Sequence, residues 1–317
     1  MKHIIFRTCR KVFREYPYTN QYTEYIGQTA NDYITDRIKN EKNGLMISKF
    51  GTIELDNIIC YEINKNGLEI KDYLNALKGR YSIYQEETFV KLCNNAGFFP
   101  YDISMLEKYN NLVRRDMKEI DILGSYLKAE RYINNGLSSN CVKVDLDGYY
   151  APFLWENPWT KCLKGKKVLV IHPFVESIKK QYKRREKLFS NPEVLPEFSE
   201  LHLIKAVQSI ANNEKNLPFK DWFEALEEME NQMDEIDYDI ALIGCGAYGM
   251  NLAAHAKRKG KIAIHLAGWT QMLFGIYGNR WIEDQPEYRK FVNEYWIRPN
   301  ENERPDNADR IENACYW

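Results

Sequence analysis

The chain has 317 residues, of which 44% are hydrophobic, so it is long and apolar enough to bury a substantial core. Its 44 lysines and arginines are balanced by 45 aspartates and glutamates, and the net charge of −1 excludes a global field that would attract nucleic acid or an acidic membrane surface. No stretch of the sequence approaches the ~20 consecutive apolar residues that a transmembrane helix needs.

The N-terminal sequence and the cysteines indicate in which cellular compartment the protein is expected. The apolar run Ile4–Phe6 is too short for the core of a signal peptide. The seven cysteines include no C-x-x-C pair, and an odd, scattered set is typical of free thiols in a reducing compartment. We therefore expect a cytoplasmic protein without a transmembrane segment, and peripheral contact with the inner face of the membrane is compatible with this expectation.

The first half of the chain contains one clear strand followed by a helix. Leu45–Phe50 is an apolar run that predicts a buried strand, and Gly51 ends it. Apolar residues at helical spacing, beginning with Leu55, predict a helix directly afterwards. Further along, Trp155–Trp159 contains two tryptophans around a proline and predicts a hinge into a second lobe.

The second half alternates between apolar strands and helices. Short apolar runs predict strands at Lys167–Ile171, Asp239–Ile243 and Ile262–Leu266. Between the first two, the pattern predicts three helices: a basic one from about Glu176 to Phe189, one around Ile204–Ile210, and one that begins after the N-cap residue Asp221. Alternating strands and helices indicate a parallel sheet that is covered on both faces.

These elements predict an α/β, Rossmann-like fold with a mostly parallel sheet flanked by helices. We divide the chain into an N-terminal α/β lobe at residues 1–157 and a nucleotide-binding lobe at residues 158–297. The polar, proline-containing segment that follows predicts a surface tail at residues 298–317.

A glycine-rich turn follows the second of these strands. Gly244, Gly246 and Gly249 match the G-x-G-x-x-G pattern, with Tyr248 inside it, and a helix is predicted directly afterwards. Glycines at this position let the backbone approach a phosphate, and the positive end of the helix favours the anion. The alternative is that the glycines only allow tight packing of the strand against the helix.

The residues after this turn argue against a dinucleotide cofactor. Such enzymes carry an acidic residue about 20 positions further on, which holds the ribose hydroxyls. Neither Asp nor Glu occurs from Gly244 through Trp281, and His265 stands near the expected place. His265 could therefore face a ligand at the end of its strand, or it could be an ordinary hydrogen-bonded histidine.

A second glycine-rich and aromatic loop ends at Arg280 and Trp281. Arg280 could neutralise a diphosphate, and Trp281 could stack on a sugar or a base. The alternative is that Trp281 closes the core and Arg280 is a solvated charge.

The turn after the first strand offers a carboxylate. Glu54 lies just beyond Gly51 and Thr52, at the carboxyl end of that strand, where it could bind a divalent ion or act as a general base on an acceptor hydroxyl. The alternative is local: with Thr52 as N-cap, Glu54 would lie in the first turn of the helix, where a negative charge is favourable in any case.

Four short elements follow one another as they do in a known family. They are the Phe-Gly-x-x-Glu element that begins at Phe50, then Leu163–Val170, Ala241–Gly244 and Ala263–Leu266. Together they resemble the GT-D glycosyltransferase fold, in particular the proteins of this type that are encoded among bacterial capsule and surface-polysaccharide genes. The resemblance extends over roughly residues 45–281.

The resemblance implies transfer of a sugar from a nucleotide-linked donor, with an Asp-x-Glu motif near the donor diphosphate and usually a divalent metal ion. In this sequence Thr52 stands at the Asp position and Glu54 at the Glu position. Hard cations favour several oxygen ligands, so a single carboxylate beside a hydroxyl makes a poorer Mn²⁺ or Mg²⁺ site. Glu54 is thus predicted to be either a metal ligand or a general base.

The sequence thus predicts a glycosyltransferase that moves a sugar from a nucleotide-diphosphate donor to a saccharide or lipid-linked acceptor in surface-polysaccharide synthesis. The predicted donor-site residues are Gly51, Thr52, Gly244, Gly246, Tyr248, Gly249, His265 and Arg280. Two alternatives stay open. One is a sugar-nucleotide-binding module without catalysis, which the loss of the Asp at Thr52 would suit, and the other is a nicotinamide-dependent oxidoreductase.

Overall fold

The computed structural model describes residues 12–18, 22–210, 215, 217–310 and 314–317. Within them, seven parallel strands form a single sheet that is flanked by helices, which confirms the predicted α/β, Rossmann-like fold. The strands are β1 (Leu45–Ser48), β2 (Ile122–Ser125), β3 (Val142–Asp145), β4 (Lys167–His172), β5 (Glu200–Lys205), β6 (Ile240–Ile243) and β7 (Ile262–His265).

Helices cover both faces of the sheet. They are α1 (Gln28–Asn40), α2 (Thr52–Asn66), α3 (Ile70–Leu77), α4 (Gln85–Ala96), α5 (Leu106–Asp116), α6 (Leu146–Tyr150), α7 (Val175–Tyr182), α8 (Trp222–Asp234), α9 (Gly249–Arg258) and α10 (Trp269–Leu273). Helices α2, α4, α5, α8 and α9 pack on one face, and α1, α6, α7 and α10 pack on the other. None of the helices in the described residues is long and apolar enough to cross a membrane.

The strands are apolar because both of their faces are covered. In β4, Leu169 and Ile171 contribute to the core on one face, whereas Val168 and Val170 contribute to the core on the other. This alternation follows from the two-residue period of a strand. Near-continuous apolar sequence is therefore what a doubly covered parallel strand requires, and it is the reason these strands can be recognised from sequence.

The order of the strands in the sheet is β3-β2-β1-β7-β6-β4-β5. Strand β1 pairs with β7, so strands from both sides of the predicted boundary at residue 157 lie in one sheet. From β4 the chain continues to β5 on one side, and from the adjacent β6 it continues to β7 on the other. Such a reversal leaves a crevice between the carboxyl ends of the two strands, where α/β proteins bind their ligands.

The predicted helix around Ile204–Ile210 is wrong, because Glu200–Lys205 forms strand β5 at the edge of the sheet and residues 206–209 have no regular secondary structure. Among the described strands it pairs with β4 alone, and its residues are less buried than those of the central strands. Apolar residues in this segment alternate with polar ones, which is the period of a strand with one exposed side.

The C-terminal segment is tied to the second face of the sheet at two places. The buried carboxylate of Glu303 accepts a hydrogen bond from the backbone N–H of Glu176 (2.7 Å) at the start of α7, and it also contacts Ser177. Further on, Ala314 and Trp317 are buried. The segment that we predicted as a tail therefore brings the last residues of the chain back to the sheet.

Candidate functional site

A cavity of about 470 Å³ opens at the carboxyl ends of the parallel strands. Its walls include the segments that follow β1, β4, β6 and β7, so it contains the crevice between β4 and β6. A volume of this size lies within the range of about 300–1,000 Å³ that is usual for small-molecule sites. Both its position and its size are those expected for the ligand site of an α/β protein.

The cavity brings together eight of the nine residues that we predicted from sequence to form the site. They are Gly51, Thr52, Glu54, Gly244, Gly246, Tyr248, His265 and Arg280. The ninth, Gly249, is not among the lining residues and instead packs against the ring of His265. Their chemical roles stay predictions, but residues more than 200 positions apart in sequence share one cavity.

The glycine-rich turn is tightly packed against neighbouring protein. A Cβ atom added to Gly244 would lie 2.4 Å from the backbone oxygen of Ala267, and one added to Gly246 would lie 2.6 Å from that of Ala96. Gly246 also has a φ of 57°, which L side chains rarely adopt. The turn therefore needs its glycines for packing, as in the alternative that the sequence left open, and the phosphate-binding role stays a prediction.

Gly249 gives room to a buried histidine. A Cβ atom added to it would lie 2.2 Å from Nε2 of His265, whose Nδ1 lies 3.1 Å from the hydroxyl oxygen of Ser48. That second contact limits how far the imidazole can move away. Close approach of helix α9 to the end of β7 therefore depends on a glycine at this position.

We expect Gly249→Ala to destabilise the protein by roughly 1–3 kcal/mol, because the added methyl group displaces the His265 ring from its packed position. Urea unfolding of the variant measures the loss. The double variant Gly249→Ala/His265→Ala is the control, since removing the ring should make the two effects clearly non-additive. Additive effects would contradict a steric origin.

Two buried histidines, His172 and His265, are the last residues of strands β4 and β7. His172 and His265 are each about 95% or more buried, and burial lowers the pKa of both imidazoles to about 3. Nδ1 of His172 accepts a hydrogen bond from the backbone N–H of Phe174 (3.0 Å), which places the proton of the neutral ring on Nε2. Both rings line the cavity as neutral, hydrogen-bonding groups.

Glu54 lies in the first turn of α2 and its side chain folds back toward the start of the helix. A Cβ atom added to Gly51 would lie 1.9 Å from a carboxylate oxygen of Glu54, so only glycine fits beneath it. The N-cap residue is Gly51 and not Thr52, which is the first helical residue and is exposed. The positive N-terminal end of α2 stabilises the negative charge of Glu54, as expected for an acidic residue in the first turn of a helix. Glu54 also lines the cavity.

Arg280 and Trp281 have different surroundings. The guanidinium of Arg280 donates a hydrogen bond to the hydroxyl of Tyr316 (2.8 Å) and lies over its ring, while lining the cavity. Trp281 is fully buried and packs edge-on against Trp269. The prediction that Trp281 stacks on a ligand is therefore wrong, and its alternative role in closing the core is correct.

Sequence reasoning missed several residues that line the cavity, among them Lys49, Tyr126 and Tyr316. Lys49 directly follows β1, and this position at the end of a recognised strand could have identified it. Tyr126 follows β2, which the sequence pattern did not reveal. Tyr316 reaches the cavity only because the C-terminal segment folds back, and no local signal indicates that.

The residues around Glu54 fit a divalent metal ion poorly. The oxygen donors that the Asp-x-Glu position offers are one carboxylate and the hydroxyl of Thr52, whereas hard cations favour several carboxylate or carbonyl oxygens. The ammonium group of Lys49 acts electrostatically on Glu54, and a cation at this position repels a second cation. Among the described residues there is no group of three or more His, Cys, Asp or Glu side chains arranged to hold a metal.

Comparisons of the chain with protein-family models, with curated proteins and with solved structures found no match. The resemblance to the GT-D glycosyltransferases therefore stays a prediction from the sequence. The cavity and its residues are the features of the molecule that bear on its function.

Proposed function

We propose that the protein is a glycosyltransferase that takes a sugar from a nucleotide-diphosphate donor. The observation that carries the proposal is the cavity at the carboxyl ends of the strands, which combines the carboxylate of Glu54, the guanidinium of Arg280 and several aromatic rings. A guanidinium can pair with a phosphate group through parallel hydrogen bonds, and aromatic rings can stack on the faces of a sugar or a base. A carboxylate suits the activation of a hydroxyl.

In the proposed reaction, Glu54 accepts the proton of an acceptor hydroxyl while that oxygen forms a bond to the anomeric carbon of the donor sugar. The bond between this carbon and the diphosphate oxygen breaks, and its electron pair leaves with the nucleoside diphosphate. Arg280 stabilises the charge that develops on the leaving group. Its hydrogen bond to Tyr316 holds the guanidinium in position, so little reorganisation is needed during the reaction.

The acceptor is proposed to be a saccharide or a lipid-linked saccharide, and the product a surface polysaccharide. Two aromatic rings from separate parts of the chain, Tyr18 and Tyr126, line the cavity without being fully buried, and such rings can stack on sugar rings. Peripheral contact with the inner face of a membrane would bring the protein to a lipid-linked acceptor.

Thermal-shift measurements with a panel of nucleotide sugars, nucleoside diphosphates and NAD(H), each with and without Mn²⁺, test this proposal. We expect one nucleotide sugar to stabilise the protein selectively, because a ligand at about 100 times its Kd adds about 2.7 kcal/mol, or roughly 5 °C in melting temperature. The donor found in this way then serves in an assay for release of the nucleoside diphosphate.

The same panel distinguishes the alternatives. Stabilisation by NAD(H) alone would favour a nicotinamide-dependent oxidoreductase and contradict our proposal. Stabilisation by a nucleotide sugar that is neither transferred nor hydrolysed would favour a sugar-nucleotide-binding module without catalysis. A panel without any effect would also contradict the proposal.

A further inference from the structure

Lys49 is a charged group without a counter-ion. Its side chain leaves the end of β1, lines the cavity, and makes no hydrogen bond and no ion pair with any residue in the described part of the chain. The ammonium nitrogen lies 5.8 Å from the centre of the Tyr126 ring. Glu54 acts on it electrostatically but does not form an ion pair with it.

The surroundings of Lys49 make this arrangement costly. Removal from water disfavours the charged form and, with the nearby guanidinium of Arg280, lowers the pKa of the Lys49 ammonium. Lys49 is partly buried, and an ammonium group that is withdrawn from water without a hydrogen-bond partner is costly to the folded protein. A side chain of this kind at the end of a central strand is best explained by an anion that enters the cavity and pairs with it.

We propose that Lys49 and Arg280 together form a diphosphate-binding site that works without a divalent metal ion. This inference rests on the proposed function, because the diphosphate that the two cationic side chains bind is the leaving group of that reaction. The two groups approach the cavity from opposite parts of the chain, β1 and the loop after α10, and each interacts electrostatically with the other. Mutual repulsion between them is relieved when an anion lies between them.

The inference also accounts for Thr52. A transferase that neutralises the departing diphosphate with a metal ion needs carboxylates to hold that ion. Where Lys49 and Arg280 supply the positive charge, a second carboxylate next to Glu54 would compete with the diphosphate for these cations. A neutral hydroxyl at Thr52 avoids this competition and leaves Glu54 to act on the acceptor.

Isothermal titration calorimetry with inorganic pyrophosphate, in EDTA and separately with Mn²⁺, tests the site directly. We expect binding in EDTA with a Kd within about threefold of that in Mn²⁺, since the cations that hold the anion belong to the protein. Lys49→Met should weaken binding by about 10- to 100-fold, and Lys49→Arg should keep most of it. The control is Lys166→Met, which removes an exposed lysine outside the cavity and should leave the Kd unchanged.

A second measurement shows that Lys49→Met is folded. The variant should melt no lower than the wild-type protein without ligand, because it removes a partly buried charge that has no ion-pair partner among the described residues. Loss of pyrophosphate binding together with an unchanged or higher melting temperature is thus the expected result. A lower melting temperature would mean that Lys49 serves the fold, and it would overturn the inference.

Two further results would also overturn it, namely binding of pyrophosphate only when Mn²⁺ is present, and wild-type affinity in Lys49→Met. The outcomes separate this inference from the proposed function. If pyrophosphate binds through Lys49 without metal but no nucleotide sugar is consumed, the anion site stands and the transferase proposal fails. If sugar is transferred while Lys49→Met binds pyrophosphate normally, the transferase proposal stands and the metal-free site fails.

Discussion

Replacement of Glu54 by glutamine is expected to lower the rate of nucleoside diphosphate release from the donor by about 10²–10⁴-fold, the usual contribution of a general base. Glutamine keeps the size of the side chain and its position in the first turn of α2, but it cannot accept the proton of the acceptor hydroxyl. The Kd of the donor should change little, because the proposal assigns the diphosphate to other side chains. Steady-state kinetics and calorimetry on the same preparation measure the two effects.

The control for this variant is Glu86→Gln. Glu86 is exposed, lies in the first turn of α4, and is not among the residues that line the cavity. Both substitutions therefore remove a negative charge near the positive end of a helix, at a cost of about 0.3–1 kcal/mol in stability. Loss of activity in Glu54→Gln alone supports the role in catalysis, whereas full activity in Glu54→Gln would exclude Glu54 as the base.

The central strands could be predicted from sequence because burial on both faces imposes a long apolar run. Strands β1, β4, β6 and β7 carry such runs and were found. Strands β3 and β5 lie at the edges of the sheet, where the described residues provide at most an isolated bridge on the outer side, so their sequences are more polar. Strand β2 is only four residues long and ends in Gly124 and Ser125, which carry no β-strand signal.

The candidate site could be predicted in part, because parallel strands bring their carboxyl ends to one edge of the sheet. Residues just after a recognised strand, such as Glu54 and Gly244, were identified in this way, and Lys49 could have been. Tyr126 and Tyr316 depend on an unrecognised strand and on the path of the C-terminal segment. The packing of Gly246 and Gly249 against distant residues depends on tertiary contacts, which a pattern of glycines does not contain.

Acidification from pH 6.5 to pH 5 is expected to destabilise the protein by about 3 kcal/mol through His172 and His265. In the unfolded chain both imidazoles titrate near pH 6.5, whereas burial lowers the pKa of each to about 3 in the folded protein. Between these values the unfolded state binds more protons than the folded state. Stability is therefore fully present above about pH 6.5 and is lost as the pH falls toward 3. Urea unfolding at a series of pH values measures this loss.

The variant His172→Asn/His265→Asn should lose much less stability over the same range, because asparagine does not titrate. The asparagine oxygen can replace Nδ1 as the acceptor for the backbone N–H of Phe174, so the local hydrogen bond at His172 is retained. The variant is compared with the wild-type protein by the slope of stability against pH, since its absolute stability also reflects altered packing. Equal slopes in the two proteins would mean that the imidazoles are accessible to protons in the folded state. Unequal slopes of the expected sign would show that both rings stay neutral in the folded protein, so that they add no charge to a cavity that already contains Lys49 and Arg280.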